Sequence, residues 1–202
     1  MVRFQHWRRL KSASITGLLQ AFFDTFEPHP VLVPMSLPST AIEPLSFRKA
    51  LGHYASGITV ITSHIHGEPI GFTCQSFHSV SMSPPLVSFS VMASSASYPK
   101  IRQAGRFAVN ILSDEQVRIS DQFARRGSDK WHGIERQESP LGNPVIVGSL
   151  HWLDCEIYAE HVAGDHLIVI GEVKALNLQE AAAQPLLYFK GQYRNIAALS
   201  AV

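Results

Sequence analysis

Residues 71–85 read GFTCQSFHSVSMSPP, and the fold turns on how this stretch is taken. It lies between two apolar runs, GITVITS at 57–63 and LVSFSVM at 86–92. Both runs are rich in β-branched or aromatic residues and short enough to be strands. Thr73, Cys74, Gln75, Ser76, Ser79, Ser81 and Ser83 make the middle too polar for a core strand and too regular for a linker. A strand that ends in exposed backbone N–H groups and hydroxyls offers neutral donors to a phosphate without a P-loop. Gly71 lets the backbone approach something flat and large, and Pro84 and Pro85 stop the segment. Taken alone, the stretch also fits a serine-rich loop on a β protein.

Outward from it, FRKALGHYASG at 47–57 sets Phe47, Ala50, Leu51 and Tyr54 at helical spacing, with Gly57 as the stop. The first strand and PIGFTCQS are joined across residues 64–69, where Gly67 serves the turn. SSASYPKIRQAG at 94–105 predicts a polar turn and a short helix, and FAVNIL at 107–112 a further strand. SDEQVRISDQFA at 113–124 predicts a helix with Ser113 as cap and Gln116 as its capping-box partner. Residues 127–148 read as loop, and two strand-rich runs turn at Ala163, Gly164 and Asp165. PLLYFKGQYRNI at 185–196 predicts one last strand. Short strands with two or three helices, in no βαβ rhythm, point to an antiparallel barrel with peripheral helices.

The first 46 residues differ in character and read as an extension of little structure before a domain spanning 47–202. Arg3, Arg8, Arg9 and Lys11 precede an amphipathic ITGLLQAFFDTF, and Pro28, Pro30, Pro34 and Pro38 follow it. Met35 offers a second start, with residues 1–34 then a dispensable addition. Charged residues are 16% of the 202, against roughly 25% in typical domains, which suggests surface buried against another subunit. A net charge of +1 gives no basic field for nucleic acid. No apolar run approaches the ~18 residues of a membrane span. Cys74 and Cys155 form no framework, so a cytoplasmic protein is expected.

Several familiar sites are missing from the sequence: GxGxxG after a strand, GxxxxGK[ST], and the GxSxG elbow. His64 and His66 sit in a turn, and His161 and His166 are spaced like no common zinc pattern, so no metal is expected. Cys74 has no evident base. Arg125, Arg126 and Lys130 form a small basic patch that fits a solvated helix end equally well.

The ordered set FRKALGHYASGITVITS, GEPIGFTCQSFHSVSMSPPLVSFSV, FAVNIL, DQFARRGSDKW, LDCEIYAEHVAGDHLIVIGEV and PLLYFKGQY resembles the flavin reductase family, from Phe47 to about Ile196. The resemblance implies a mainly β, antiparallel Greek-key split barrel with a few peripheral helices, the FMN-binding split barrel. It implies that Phe72, Thr73, Cys74, Gln75 and Ser76 line a non-covalent FMN or FAD. Ser90, Val91 and Met92 correspond to the neighbouring strand end, Ser97 to a phosphate-side hydroxyl, and Phe123 to an aromatic packed on the cofactor. His166, in the GDH turn, matches a catalytic histidine beside the nicotinamide; by itself it reads as a turn residue bonded to Asp165.

Hydride transfer between two stacked rings asks mainly for positioning, with reacting atoms about 3–3.5 Å apart. A site of hydroxyls, small residues and apolar walls therefore suffices, and no acid–base pair is needed. The expected activity is an NAD(P)H:flavin oxidoreductase using NADH or NADPH, homodimeric, supplying reduced flavin to a partner monooxygenase. A non-catalytic flavin- or haem-binding module on the same barrel is the alternative. An oxidase of the pyridoxamine-phosphate type would need a stronger basic cluster.

Overall fold

The computed structural model describes residues 41–127, 129–177 and 183–196. The chain divides into two compact units, Met1–Ile42 and Glu43–Val202, and the second carries the fold. The helix and Pro-rich linker expected in the N-terminal extension fall, as far as residue 40, outside the described residues.

The second unit opens with α1 (Pro44–Leu51), then β1 (Ser56–Gly57), β2 (Thr59–Ile65), β3 (Glu68–Cys74), β4 (His78–Met82) and β5 (Pro85–Met92). After α2 (Tyr98–Ala104) come β6 (Arg106–Ile111), a 3₁₀ turn (Asp114–Gln116) and α3 (Val117–Ala124). β7 (Arg136–Glu138), β8 (Pro144–Ile146), β9 (His151–Ala163), β10 (His166–Leu176), β11 (Leu187–Phe189) and β12 (Gln192–Arg194) complete it.

Seven strands form one sheet in the order β3-β2-β6-β9-β10-β5-β4, with every pair antiparallel. Its two edges, β3 and β4, are consecutive in the chain and joined only by Gln75, Ser76 and Phe77. Seven strands laid flat would separate their edges by about 29 Å, whereas the link from Cys74 to His78 reaches at most about 14 Å. The sheet must therefore curl until its edges approach, and a barrel results. Ser76 fastens this closure: its hydroxyl accepts from Ser90 N–H and donates to Ser90 C=O on β5, both at 2.9 Å.

Inside the barrel lie Ile61, Val87, Phe89, Val91, Tyr98, Ile101, Phe107, Val109 and Val169, with both thiols, Cys74 and Cys155. A second core holds Ile58, Val60, Leu112, Phe123, Trp131, Ile146 and Leu186. β2 contributes to both cores, Ile61 to one and Val60 to the other. Being covered on both sides, it reads as a nearly unbroken β-branched run. Burial pushes both thiols well above the ordinary cysteine range, so neither is a ready nucleophile.

The capping box at Ser113 forms as expected, with Gln116 Oε1 accepting from Ser113 N–H at 3.1 Å. Three other expectations need correction. The first helix spans Pro44–Leu51, begins before Phe47, and ends at Gly52, whose N–H donates to Arg48 C=O at 3.0 Å. Its start is set by Glu43, whose carboxylate accepts from Leu45 and Ser46 N–H, and by Pro44 at the first position. Gly57 belongs instead to β1, and none of the helix is buried: Phe47 is 54% exposed and Leu51 56%. Within the supposed loop 127–148, β7 and β8 pair. The last strand is a hairpin, β11 and β12, folded at Lys190 and Gly191, both at positive φ. Two adjacent residues at positive φ suit a tight hairpin turn, which a search for alternation alone does not see.

Candidate active site

β3 is an edge strand, so the backbone groups on its free side need partners from outside the sheet. Gly71 C=O accepts from Lys130 Nζ at 3.1 Å and from the Ser97 hydroxyl at 3.4 Å. Backbone direction alternates along an antiparallel strand. Thr73, and Gln75 just beyond the strand, therefore offer N–H and C=O on that same free side.

Two cavities flank this edge. The smaller, about 400 Å³, is lined by Ile70, Gly71, Ser97, Lys100, Lys130 and Trp131 among others. Lys130 is its best-defined group, because its ammonium also donates to Phe123 C=O at 2.9 Å. Burial lowers its pKa below the ordinary lysine value. Trp131 is buried, and its indole Nε1 has no hydrogen-bond partner among the described residues. The larger cavity, about 1070 Å³, brings Gln75 and Asp165 together with α1 and the β11–β12 turn.

The expected site residues divide by the two-residue period of a strand. Phe72 packs edge-on to Phe89 at 5.9 Å, and Cys74 and Val91 are each 5% exposed; all three side chains belong to the inner core. Ser90 and Met92 point to the opposite side from Val91, as alternation requires. Met92 stands in register with His166. The hydroxyl of Thr73 donates to Ser120 C=O at 2.6 Å, and those of Ser76 and Ser97 also donate within the protein. These serines and this threonine thus build the edge, leaving backbone groups and the Gln75 side chain toward the cavity.

Phe123 departs furthest from expectation. It is fully buried, perpendicular to Trp131 at 4.9 Å between ring centres, with no ring face open to a ligand. It is also the flat object that Gly71 admits, since a Cβ at Gly71 would lie 2.8 Å from Phe123 Cε1 and from Ile61 C=O. His166 Nδ1 donates to Asp165 Oδ1 at 2.6 Å, which lowers the Asp165 pKa; Asp165, not the imidazole, lines the larger cavity. Of the lysines and arginines lining the two cavities, Lys130 was noted only as part of a basic patch with Arg125 and Arg126, and Lys100, Arg48 and Lys190 were not singled out. Among the last three only the Lys190–Gly191 pair carries a local signal, that of a turn.

The flavin reductase like domain matches residues 51–197. The reductase subunit of a flavin-dependent monooxygenase from Rhodococcus jostii is 41% identical over 161 residues, covering 80% of this chain and 82% of that protein. The structure of nitrilotriacetate monooxygenase component B from Mycobacterium thermoresistibile superposes with a TM-score of 0.74 at 42% identity, over 76% of this chain and 86% of that one. The Streptomyces globisporus NADH:FAD oxidoreductase, in complex with NAD and FAD fragments, gives 0.71 at 31% identity, over 76% and 92%. This chain belongs to the flavin reductase family.

Proposed function

We propose that the chain is an NAD(P)H-dependent flavin reductase whose flavin, FMN or FAD, lies along the free edge of β3, and that its product is reduced flavin for a separate monooxygenase component. The observation that carries this reading is the meeting of Gln75 and the Asp165–His166 turn at one cavity, with an ammonium-lined cavity further along the same edge. Gly71 and Gln75 are separated by about 13 Å of strand at 3.3 Å per residue, a span suited to a ring system at one end and its phosphate at the other.

The residues present fit that group. Lys130, Lys100 and Ser97 supply cation and hydroxyl at the smaller cavity, and the buried indole Nε1 of Trp131 is an unused donor in its wall. Thr73 and Gln75 present backbone groups to the polar edge of the ring, Ser76 and Ser90 hold the closure beneath it, and Met92 covers its flank. Phe72, Cys74, Val91 and Phe123 act one layer further in, keeping the edge rigid. Bound flavin supplies the hydride acceptor. His166, held by Asp165, sets the nicotinamide over the edge, and its loss removes positioning and not a proton step.

The site is open in one subunit, which supports a homodimer that covers it. Val162 is 82% exposed, Met82 91% and Tyr158 58%, apolar surface of the kind subunit contacts remove. No helix of the described residues is long and apolar enough to cross a membrane. Two buried, unpaired cysteines agree with a reducing cytoplasm.

Anaerobic stopped-flow mixing with NADH and with NADPH tests the reading. Bleaching of flavin absorbance over repeated turnovers is expected. Flavin that binds without being bleached by either nucleotide would leave a non-catalytic binding module. Light scattering at micromolar concentration should return twice the chain mass, and an active monomer would remove the dimer.

A further inference from the structure

The larger cavity carries positive charge that ring stacking does not use. Arg48 and Lys190 both line it, and neither pairs with a carboxylate among the described residues. Asp165 is the one acid of the lining, and His166 already holds it. Lys49, beside Arg48 on the same helix turn, does not line the cavity, so the charge is directed and not general to α1.

The two cations are mounted on elements fixed to each other. Lys190 N–H donates to Gly52 C=O at 2.8 Å, tying the β11–β12 turn to the end of α1. Lys190 itself has φ 51°, an uncommon conformation for a residue with a side chain and one that contacts must maintain. Phe47, Leu51, Tyr54 and Tyr188 complete the wall with apolar and aromatic surface. At about 1070 Å³ the cavity is far larger than a nicotinamide ring. Gln75 and Asp165 line it together with the two cations and the aromatic rings.

We propose that Arg48 and Lys190 bind a phosphate of the nicotinamide dinucleotide, so that affinity for the hydride donor is set on α1 and the β11–β12 turn, apart from the ring-stacking site. The proposal rests on the reductase reading above. A guanidinium grips two phosphate oxygens at once, and an ammonium adds a point charge, so the pair suits a diphosphate or a phosphomonoester.

Three hydride donors separate the contributions: NADH, NADPH and dihydronicotinamide riboside, which has the same ring and no phosphate. In the full chain, Arg48→Gln with Lys190→Gln should lower the ratio of kcat/KM for NADH to that for the riboside about tenfold, mainly through KM. Calorimetric titration with ADP-ribose, which carries the diphosphate without the nicotinamide, should show Kd rising by a similar factor, free of any turnover. Equal losses with NADH and NADPH assign the cations to the diphosphate, and a larger loss with NADPH to its 2′-phosphate; each supports the proposal. Lys49→Gln should leave the ratio where it was. Ratios to the riboside that are unchanged for both NADH and NADPH, with unchanged ADP-ribose Kd, in a double variant of wild-type melting temperature overturn the proposal, as does an equal fall in Lys49→Gln. Wild-type protein that bleaches no flavin with any of the three donors would instead overturn the reductase reading.

Discussion

The two cavities beside β3 are built in opposite ways. The smaller is preformed: Lys130 is held by two carbonyls, Ser97 by one, and Gly71 is pressed between Phe123 and Ile61. The larger is walled by α1, which buries none of its residues, and by a hairpin turn joined to it through one backbone hydrogen bond. The first kind of wall binds with little loss of entropy, because its donors are ordered beforehand. A donor that must arrive and leave at every turnover is suited by the second.

The strongest way to break this contrast is Gly71→Ala. Its Cβ, 2.8 Å from Phe123 Cε1 and from the Ile61 carbonyl oxygen, forces α3 or β2 to move. Overpacking of this sort costs about 1–3 kcal/mol, a fall of roughly 2–4 °C in Tm for each kcal/mol in a chain of this size. Flavin affinity should fall with it, because the acceptor of Lys130 shifts. Weaker flavin at an unchanged Tm would mean that Gly71 faces the ligand directly.

His166→Asn probes the larger cavity. A misplacement of about 1 Å costs on the order of a hundredfold in rate, and the loss should appear with nicotinamide as the varied substrate while flavin Kd stays near wild type. Wild-type kinetics in a folded variant would leave the residue as a turn partner of Asp165.

Lys130→Met should weaken flavin about tenfold, the scale of one charge-assisted hydrogen bond. Burial disfavours the ammonium, so the folded pKa lies below the ordinary value. Attraction for phosphate is thus complete at low pH and is lost as pH rises through that lowered pKa. Titrating FMN from neutral pH upward should show the decline early, and Lys130→Arg should abolish it. The smallest effect is expected for Ser76→Ala, about 1 kcal/mol of stability from the lost clasp to Ser90. A large drop in flavin affinity at constant Tm would restore Ser76 as a direct ligand.

Much of the fold was legible because its signals are local. The β-branched runs before and after residues 71–85, the Ser113–Gln116 box and the turn at residues 163–165 each act over a few residues, and each appears where expected. α1 starts and ends earlier than its apolar spacing predicts, because Glu43 and Pro44 set its start and Gly52 its end. Phe47, Leu51 and Tyr54 have the spacing of a core face and yet lie exposed on the surface of the unit.

By itself the sequence determined the mainly β class and the family, since these follow from residue types in order along the chain. Only the tertiary structure decided which residues of the polar stretch face the barrel core and which face away from it. Adjacent strand residues point to opposite sides, so Thr73 and Gln75 parted from Phe72 and Cys74, and Ser90 and Met92 from Val91. Phe123 moved from cofactor wall to core, and Lys130, Arg48 and Lys190 came in from distant segments. A lysine's role depends on the carbonyls and cavities that the folded chain brings to it, and no pattern within a few residues of its position records them.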